Sequence, residues 1–168
     1  MQTEEGITLC QSSYVAKILQ AAGMMECNAT HTPMESRLKL GKAAPGDEVD
    51  MTQYSSVVGS LRYLCNTRPD ITFDVGIVSR YLEAPAASHW AAVKQILSCI
   101  KGTANYGCYY ERSSGGAPDV IGFSDSDFAG DMDNRRSTTG IVFFLGTSVI
   151  TWASQKQKVV ALSSCEAT

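Results

Sequence analysis

The chain has 168 residues, of which 44% are hydrophobic and 18% charged, and its formal net charge is -3. This balance is typical of a globular protein and excludes a disordered chain. No apolar run approaches the ~20 residues that a membrane-spanning helix needs, and the polar N-terminus lacks the features of a signal peptide, so we expect an intracellular protein, cytoplasmic or nuclear. The acidic balance also disfavours a free-standing nucleic-acid binder, because phosphate contacts usually require a basic surface.

Residues 1–40 form the first predicted segment, which begins with a strand and a helix. The alternating pattern GITLC predicts a short strand over residues 6–10. Ser13 is a suitable cap for a helix with apolar residues on one face, which ends before Gly23. The rest of the segment has no clear period, and we expect it to be extended or a loop.

Residues 41–51, with the sequence GKAAPGDEVDM, predict a linker because they combine Gly, Pro and three acids without an apolar face. Residues 52–115 follow as a helical segment. Thr52 is the predicted cap of its first helix, Pro69 suits the first position of its second, and Ser88 begins its third. These three short helices should pack together as one compact unit.

Residues 116–168 predict three strands after an earlier strand at 106–110. The first strand begins at Val120, the second covers 140–145 and the third covers 148–153, with spacing that fits an antiparallel meander. A helix should begin near Cys165. The predicted fold class is therefore mixed α/β, a short helical segment followed by a three-stranded antiparallel sheet.

An acidic loop follows the first strand of this sheet. It supplies carboxylates, the ligand type that hard divalent cations prefer, at Asp125, Asp127, Asp131 and Asp133. A calcium loop of the EF-hand type is disfavoured, because its twelfth position is Arg136 where a bidentate Glu is needed. Two readings stay open: a solvated turn whose acids pair with Arg135 and Arg136, and a two-metal nuclease site in which Asp125 joins a distant Glu166.

Three long stretches carry a resemblance to one family. GFSDSDFAGDMDNRRSTTGIVFFLGTSVITWASQKQKVVALSSCEA resembles the opening of the ribonuclease H domain in copia-type retrotransposon Pol polyproteins. QYSSVVGSLRYLCNTRPDITFDVGIVSRYLEAPAASHWAAVKQILSCIKGT is similar to the connection after their polymerase, and GITLCQSSYVAKILQAAGMMECNATHTPM to the end of their reverse transcriptase domain. The resemblance thus implies that residues 1–40 are the end of the reverse transcriptase domain, that 52–115 are the connection, and that 116–168 are a truncated RNase H-like domain.

The resemblance implies a four-carboxylate site that hydrolyses RNA–DNA hybrid with Mg²⁺ or Mn²⁺. Asp125 matches the first acid of that site and Glu166 the second, and both would be metal ligands. The third and fourth acids are expected beyond Thr168, and the polymerase YxDD turn before Met1. We therefore expect a catalytically inactive chain with weak metal binding or none.

The resemblance also suggests partners. Contacts with the backbone of an RNA–DNA hybrid are expected from the basic residues around the nuclease loops: Arg135, Arg136, Lys156 and Lys158. The truncated sheet should leave apolar residues either partly exposed or packed on the helical segment, including Ile141, Phe143, Val149 and Trp152. An alternative function is a stand-alone interaction protein, derived from such an element, that binds a protein or a nucleic acid through these surfaces.

Overall fold

The computed structural model describes residues 2–35, 38–42, 47, 49–112 and 119–167. Contacts divide the chain into two compact units. The helical unit consists of Gln11–Tyr106, and the strand unit consists of the N-terminal residues up to Cys10 together with the chain from Gly107 onwards. The mixed helix-and-sheet fold agrees with the predicted class.

The helical unit has four α-helices in its described part. They are α1 (Ser12–Ala21), α2 (Met51–Leu64), α3 (Thr72–Val78) and α4 (Ala87–Gly102). Apolar side chains of these helices are buried in one core, which includes Val15, Ile18, Val58, Leu61, Ile96, Leu97 and Ile100. Burial of these side chains supplies the main favourable term in the stability of the unit. Gly23, just past α1, has a φ of +67°, which suits glycine at a helix end.

Three of the predicted helix starts differ from the structure. Gln11, and not Ser13, is the N-cap residue of α1, which begins at Ser12, and the starts of α2 and α4 also differ. The Asp50 carboxylate, not the Thr52 hydroxyl, caps α2 by accepting hydrogen bonds from the backbone N–H groups of Thr52 and Gln53 at 2.8 and 3.1 Å. An Asp side chain reaches these amides from the residue before the helix, so the helix begins one residue earlier than expected. The third predicted helix, α4, likewise begins at Ala87 rather than Ser88.

His89 is fully buried near the start of α4. Its Nδ1 accepts a hydrogen bond from the Ala86 N–H at 2.9 Å, and its Nε2 lies 2.8 Å from the carbonyl oxygen of Gly41. Since a carbonyl only accepts, Nε2 carries the proton. The ring also stacks on Tyr81, with centroids 3.8 Å apart. His89 is thus a structural residue that ties α4 to the preceding chain.

Arg68 is the largest fully buried side chain of the helical unit, at 1% exposure. It donates to both carboxylate oxygens of Asp70, at 2.8 and 2.7 Å, and to the carbonyl oxygen and hydroxyl of Thr103, at 2.9 and 2.7 Å. Thr103 is the C-cap of α4, so the guanidinium of Arg68 satisfies a carbonyl at the end of this helix. Its positive charge also interacts favourably with the negative end of the helix dipole. The Arg68-Pro69-Asp70 motif is therefore a structural tie between the Pro69–Ile71 turn and α4.

Asp74 on α3 makes the stability of the helical unit depend on pH. Burial raises the pKa of its carboxyl from 3.8 to about 6, and the charge of Asp70 acts in the same direction. Because the folded-state pKa is the higher one, the stabilising effect of the proton is complete below pH 3.8 and is lost as the pH rises through about 6. At neutral pH the folded state therefore holds an unfavourable charge.

We expect Asp74→Asn to stabilise the helical unit at pH 8 by about 2 kcal/mol, with ~3 kcal/mol as the upper limit set by the pKa difference. At pH 3 the variant should match the wild type, since Asp74 is then protonated in both states. Denaturant unfolding at the two pH values measures this. Glu83→Gln, at an exposed position of the same unit, is the control. A variant that is less stable than the wild type at pH 8 would contradict the prediction.

The described residues of the strand unit form two antiparallel sheets. β1 (Gly6–Cys10) pairs with β2 (Gly107–Glu111), and β3 (Val120–Ser126), β4 (Thr138–Leu145) and β5 (Ser148–Lys156) form the predicted meander in the order β3-β4-β5. Gly146, with a φ of +61°, makes the tight connection between β4 and β5. The four-residue α5 (Ser164–Ala167) follows, at the predicted place.

The three-stranded sheet is apolar on both faces. Cross-strand partners lie on the same face, so Phe123 and Val142 share one face, and Gly122 and Phe143 share the other. Apolar side chains of both faces are more than a third exposed, among them Val120, Ile121, Phe123, Ile141, Phe143 and Leu145. The predicted exposure of Ile141 and Phe143 is thus confirmed.

The predicted segment boundaries at residues 40, 51 and 115 stay predictions. No helix in the described ranges is both long and apolar enough to cross a membrane.

Candidate functional site

Asp125 is the residue before the last in β3, and its side chain is exposed. Its Oδ1 accepts a hydrogen bond from the Ser126 N–H at 2.8 Å, which fixes one oxygen of the carboxylate close to the strand. Its cross-strand neighbour on β4 is Gly140, which has no side chain to cover the carboxylate. The site is therefore open to solvent on that side.

Glu166 lies in α5 and is also exposed. Its N–H donates to the Ser163 hydroxyl at 3.2 Å, and its Oε2 accepts from the Leu162 N–H at 2.7 Å. This pair of bonds is close to a capping box, in which a hydroxyl and a carboxylate three residues apart satisfy amides at a helix start. Ser163 is thus the cap of α5.

Gln157, which follows β5, is the residue that sequence reasoning missed. Its Nε2 donates to the Ala167 carbonyl oxygen at 2.7 Å and to Thr139 Oγ1 at 2.9 Å, and it lies 3.4 Å from Ser126 Oγ. Ser126 is the neighbour of Asp125, and Ala167 is the neighbour of Glu166. The two candidate carboxylates therefore belong to elements that meet at one side chain.

Asp127 and Asp131 organise the acidic loop through its backbone. Asp127 Oδ1 accepts from the N–H groups of Gly130 and Thr138, both at 3.1 Å. Asp131 is only 3% exposed, and its Oδ1 accepts from the N–H groups of Asp133 and Asn134, both at 3.0 Å. These bonds account for two of the four acids as structural residues.

The basic residues near this loop differ in their surroundings. Lys156 forms an ion pair with the buried Asp131. Arg135 and Lys158 are exposed, and Arg136 is partly buried. Arg135 also has a φ of +57°, and its N–H donates to the Asp131 carbonyl oxygen at 2.9 Å. Contact of these four residues with a nucleic-acid backbone stays a prediction. For Lys156, such a contact would require its ion pair with Asp131 to break.

Two thiols of the helical unit are held in the protonated form. Burial raises the pKa of the Cys65 thiol to about 11, and burial also raises the pKa of Cys99. Since the thiolate is the nucleophile, neither cysteine is suited to nucleophilic catalysis at neutral pH.

Metal binding by Asp125 and Glu166 stays a prediction. In the described part of the chain, no group of three or more His, Cys, Asp or Glu side chains converges. Asp125 and Glu166 each use an oxygen to accept a backbone N–H. Mg²⁺ is usually bound through one or two carboxylates while waters complete its octahedron, so these bonds leave Asp125 and Glu166 as the residues that would hold such an ion.

The strand unit thus carries a three-stranded sheet that is apolar on both faces and two exposed carboxylates on elements that meet at Gln157. The chain is 40% identical to the Retrovirus-related Pol polyprotein from transposon TNT 1-94 of Nicotiana tabacum, over 99% of the chain and 13% of that protein. It is 37% identical to the Pol polyprotein from transposon RE2 of Arabidopsis thaliana, over 97% of the chain and 11% of that protein.

A shorter relative matches as well. The Secreted RxLR effector protein 161 of Plasmopara viticola is 42% identical over 67% of the chain, and the match covers 79% of that protein. The chain belongs to the copia-type retrotransposon Pol polyprotein family, and it spans about an eighth of the two transposon polyproteins. No family model and no solved structure matches it.

Proposed function

We propose that this chain contains the C-terminal end of the reverse transcriptase, the connection and the N-terminal part of the ribonuclease H domain of a copia-type Pol polyprotein. By itself it does not hydrolyse RNA–DNA hybrid. In a whole polyprotein, Asp125 and Glu166 would serve as two of the four acids of the nuclease. The setting would be intracellular, with the hybrid as substrate.

The observation that carries this proposal is the sheet with two exposed apolar faces. A sheet with one face in water normally alternates apolar and polar residues, whereas a sheet covered on both faces is apolar throughout. In β4, Ile141 and Phe143 lie on one face while Val142 and Phe144 lie on the other. This pattern is typical of strands that further elements cover, as in a larger α/β domain.

The placement of the carboxylates supports the same proposal. Asp125 lies near the end of β3 and Glu166 lies in the short helix α5, and the two elements meet at Gln157. Two-metal hydrolysis uses several carboxylates from different elements around both ions. Two carboxylates that serve backbone amides are not enough for that chemistry, which is why the chain alone is proposed to be inactive.

A cleavage assay tests the inactivity. The purified chain is incubated with Mg²⁺ or Mn²⁺ and an RNA–DNA hybrid labelled on the RNA strand. We expect no cleavage above that of Asp125→Asn, because the ligands for a two-metal site are too few. Cleavage by the wild type that Asp125→Asn abolishes would overturn the claim of inactivity.

A second candidate function is protein binding by a stand-alone protein derived from the element. It is favoured by the same exposed apolar side chains, Phe123 at 61% and Val120 at 64% exposure, and by the existence of a short relative named as an effector. Apolar patches of this kind mark interaction surfaces.

A binding experiment in solution distinguishes the two candidate functions. Phe123→Ser removes the largest exposed apolar side chain of β3 without touching Asp125. If the second candidate is right, this change abolishes capture of a partner that the wild-type chain retains. If the chain captures nothing and is monomeric, protein binding fails as its function.

A further inference from the structure

Gln157 is bound on several sides within the strand unit. Its backbone N–H donates to the Ser137 carbonyl oxygen at 2.8 Å, next to the start of β4. Its side-chain nitrogen donates to Thr139 on β4 and to the Ala167 carbonyl oxygen of α5, and it contacts the Ser126 hydroxyl at the end of β3. One side chain thus meets two strands and a helix.

The orientation of the amide follows from chemistry. The Ala167 carbonyl oxygen has no hydrogen to donate, so the atom 2.7 Å from it must be the NH₂ nitrogen of Gln157 and not the amide oxygen. The Thr139 and Ser126 hydroxyls lie 3.3 Å from each other and rotate to accept. A donor at this position is therefore required, and a carboxylate cannot supply it.

α5 needs support from outside because a helix of four residues is too short to hold its shape alone. The bonds from Ser163 and Leu162 to Glu166 lie within the segment 162–167 and stabilise its first turn. The Gln157 bond satisfies the carbonyl at the opposite end, on Ala167, which is itself 1% exposed. It also connects the segment to the sheet.

We propose that Gln157 is a positioning residue that holds the helix carrying Glu166 against the strand end carrying Asp125. Its relevance to hydrolysis rests on the proposed function, but the placement itself does not. The neighbours of both carboxylates, Ser126 and Ala167, lie within 3.4 Å of the same nitrogen atom. Loss of that nitrogen would let α5 move away while the capping bonds within it persist.

The test replaces Gln157 by Glu, which has the same shape but no donor at neutral pH. Gln155→Glu is the matched control, because it makes the same charge change at an exposed position of β5. We expect amide hydrogen exchange of residues 162–167 to rise on the order of 10-fold in Gln157→Glu and to stay at the wild-type rate in Gln155→Glu.

A second readout reports position rather than stability. Cys165 is exposed and adjoins Glu166, so a spin label can be attached there in a background with Cys10, also exposed, replaced by Ser. The label should broaden the amide signals of Asp125 and Ser126 in the wild type and in Gln155→Glu, and much less in Gln157→Glu. Gln157→Lys keeps a donor of similar reach and should restore the broadening.

Wild-type exchange and wild-type broadening in Gln157→Glu would overturn the proposal. Gln157→Glu is uninformative about position if its amide NMR signals show that the sheet is not folded, and the lysine variant is then used. Broadening in a folded Gln157→Lys variant supports the proposal, and the absence of broadening in that variant overturns it. No nucleic acid enters these measurements. Failure of the proposed function would instead appear as hydrolysis by a whole polyprotein that does not depend on Asp125 and Glu166.

Discussion

Arg68→Ala should destabilise the helical unit by about 4 kcal/mol, through lost charge-assisted hydrogen bonds and a cavity in its core. The guanidinium is 1% exposed and donates to both Asp70 oxygens and twice to Thr103. Its loss leaves the helix-end carbonyl of Thr103 without its guanidinium donor. The side chain of Asp70 is 48% exposed and can hydrogen-bond to water instead. Most of the lost stability therefore comes from the hydrogen bonds at the end of α4.

Denaturant unfolding followed by Trp90 fluorescence measures this effect. The chain has two tryptophans, and Trp152→Phe in all variants leaves Trp90 as the reporter in the helical unit. Arg62→Ala is the matched control, because Arg62 is exposed at the end of α2, and it should change the stability by no more than about 0.5 kcal/mol. Equal losses in the two variants would contradict the structural role given to Arg68.

Asp131→Ala should destabilise the strand unit by about 3 kcal/mol, because it removes charge-assisted hydrogen bonds from a buried carboxylate. The N–H groups of Asp133 and Asn134 and the ammonium of Lys156 lose their acceptor. Lys156 is partly exposed and can turn to water, which keeps the cost below that of a fully buried pair.

The reporter for this unit is Trp152, in a background with Trp90 replaced by Phe. Asn134→Ala, at an exposed position three residues away, should lie within about 0.5 kcal/mol of the wild type. If Asp131→Ala is as stable as Asn134→Ala, the Asp131 carboxylate does not organise the loop, and a binding role for Asp131 is favoured instead.

Local sequence patterns predicted the helices and the meander well, because both depend on short-range periodicity and turn chemistry. The strands predicted at 140–145 and 148–153 are examples, and they lie within β4 and β5. The cap of α2 was wrong because Asp50 falls inside a stretch interpreted as a linker, where its side chain was not considered as a cap.

The pairing of β1 with β2 could not be predicted in this way. Both strands were predicted, but they were assigned to different segments, since about a hundred residues separate them along the chain. Such non-local pairing depends on the tertiary fold and leaves no local signature. It brings the first residues of the chain into the strand unit.

The candidate site was predictable only in its carboxylates. Asp125 and Glu166 were found through the resemblance, whereas Gln157 lies in a stretch interpreted by its lysines as a basic loop. A single glutamine adds no charge and no hydrophobic periodicity to the sequence. Its role as a bridging donor is visible only in the structure, where the Ala167 carbonyl and the Thr139 hydroxyl lie beside it. The same holds for Asp127 and Asp131, whose backbone acceptor roles depend on the shape of the loop.

The most direct test of the account places this segment in a whole relative. The matching segment of the TNT 1-94 polyprotein is replaced by residues of this chain, and hydrolysis of the RNA strand of an RNA–DNA hybrid is measured with Mg²⁺. We predict that the chimaera cleaves, that Asp125→Asn and Glu166→Gln each reduce cleavage to background, and that Asp133→Asn leaves the rate unchanged. Cleavage at the parental rate in Asp125→Asn would contradict the assignment of these two carboxylates to the nuclease.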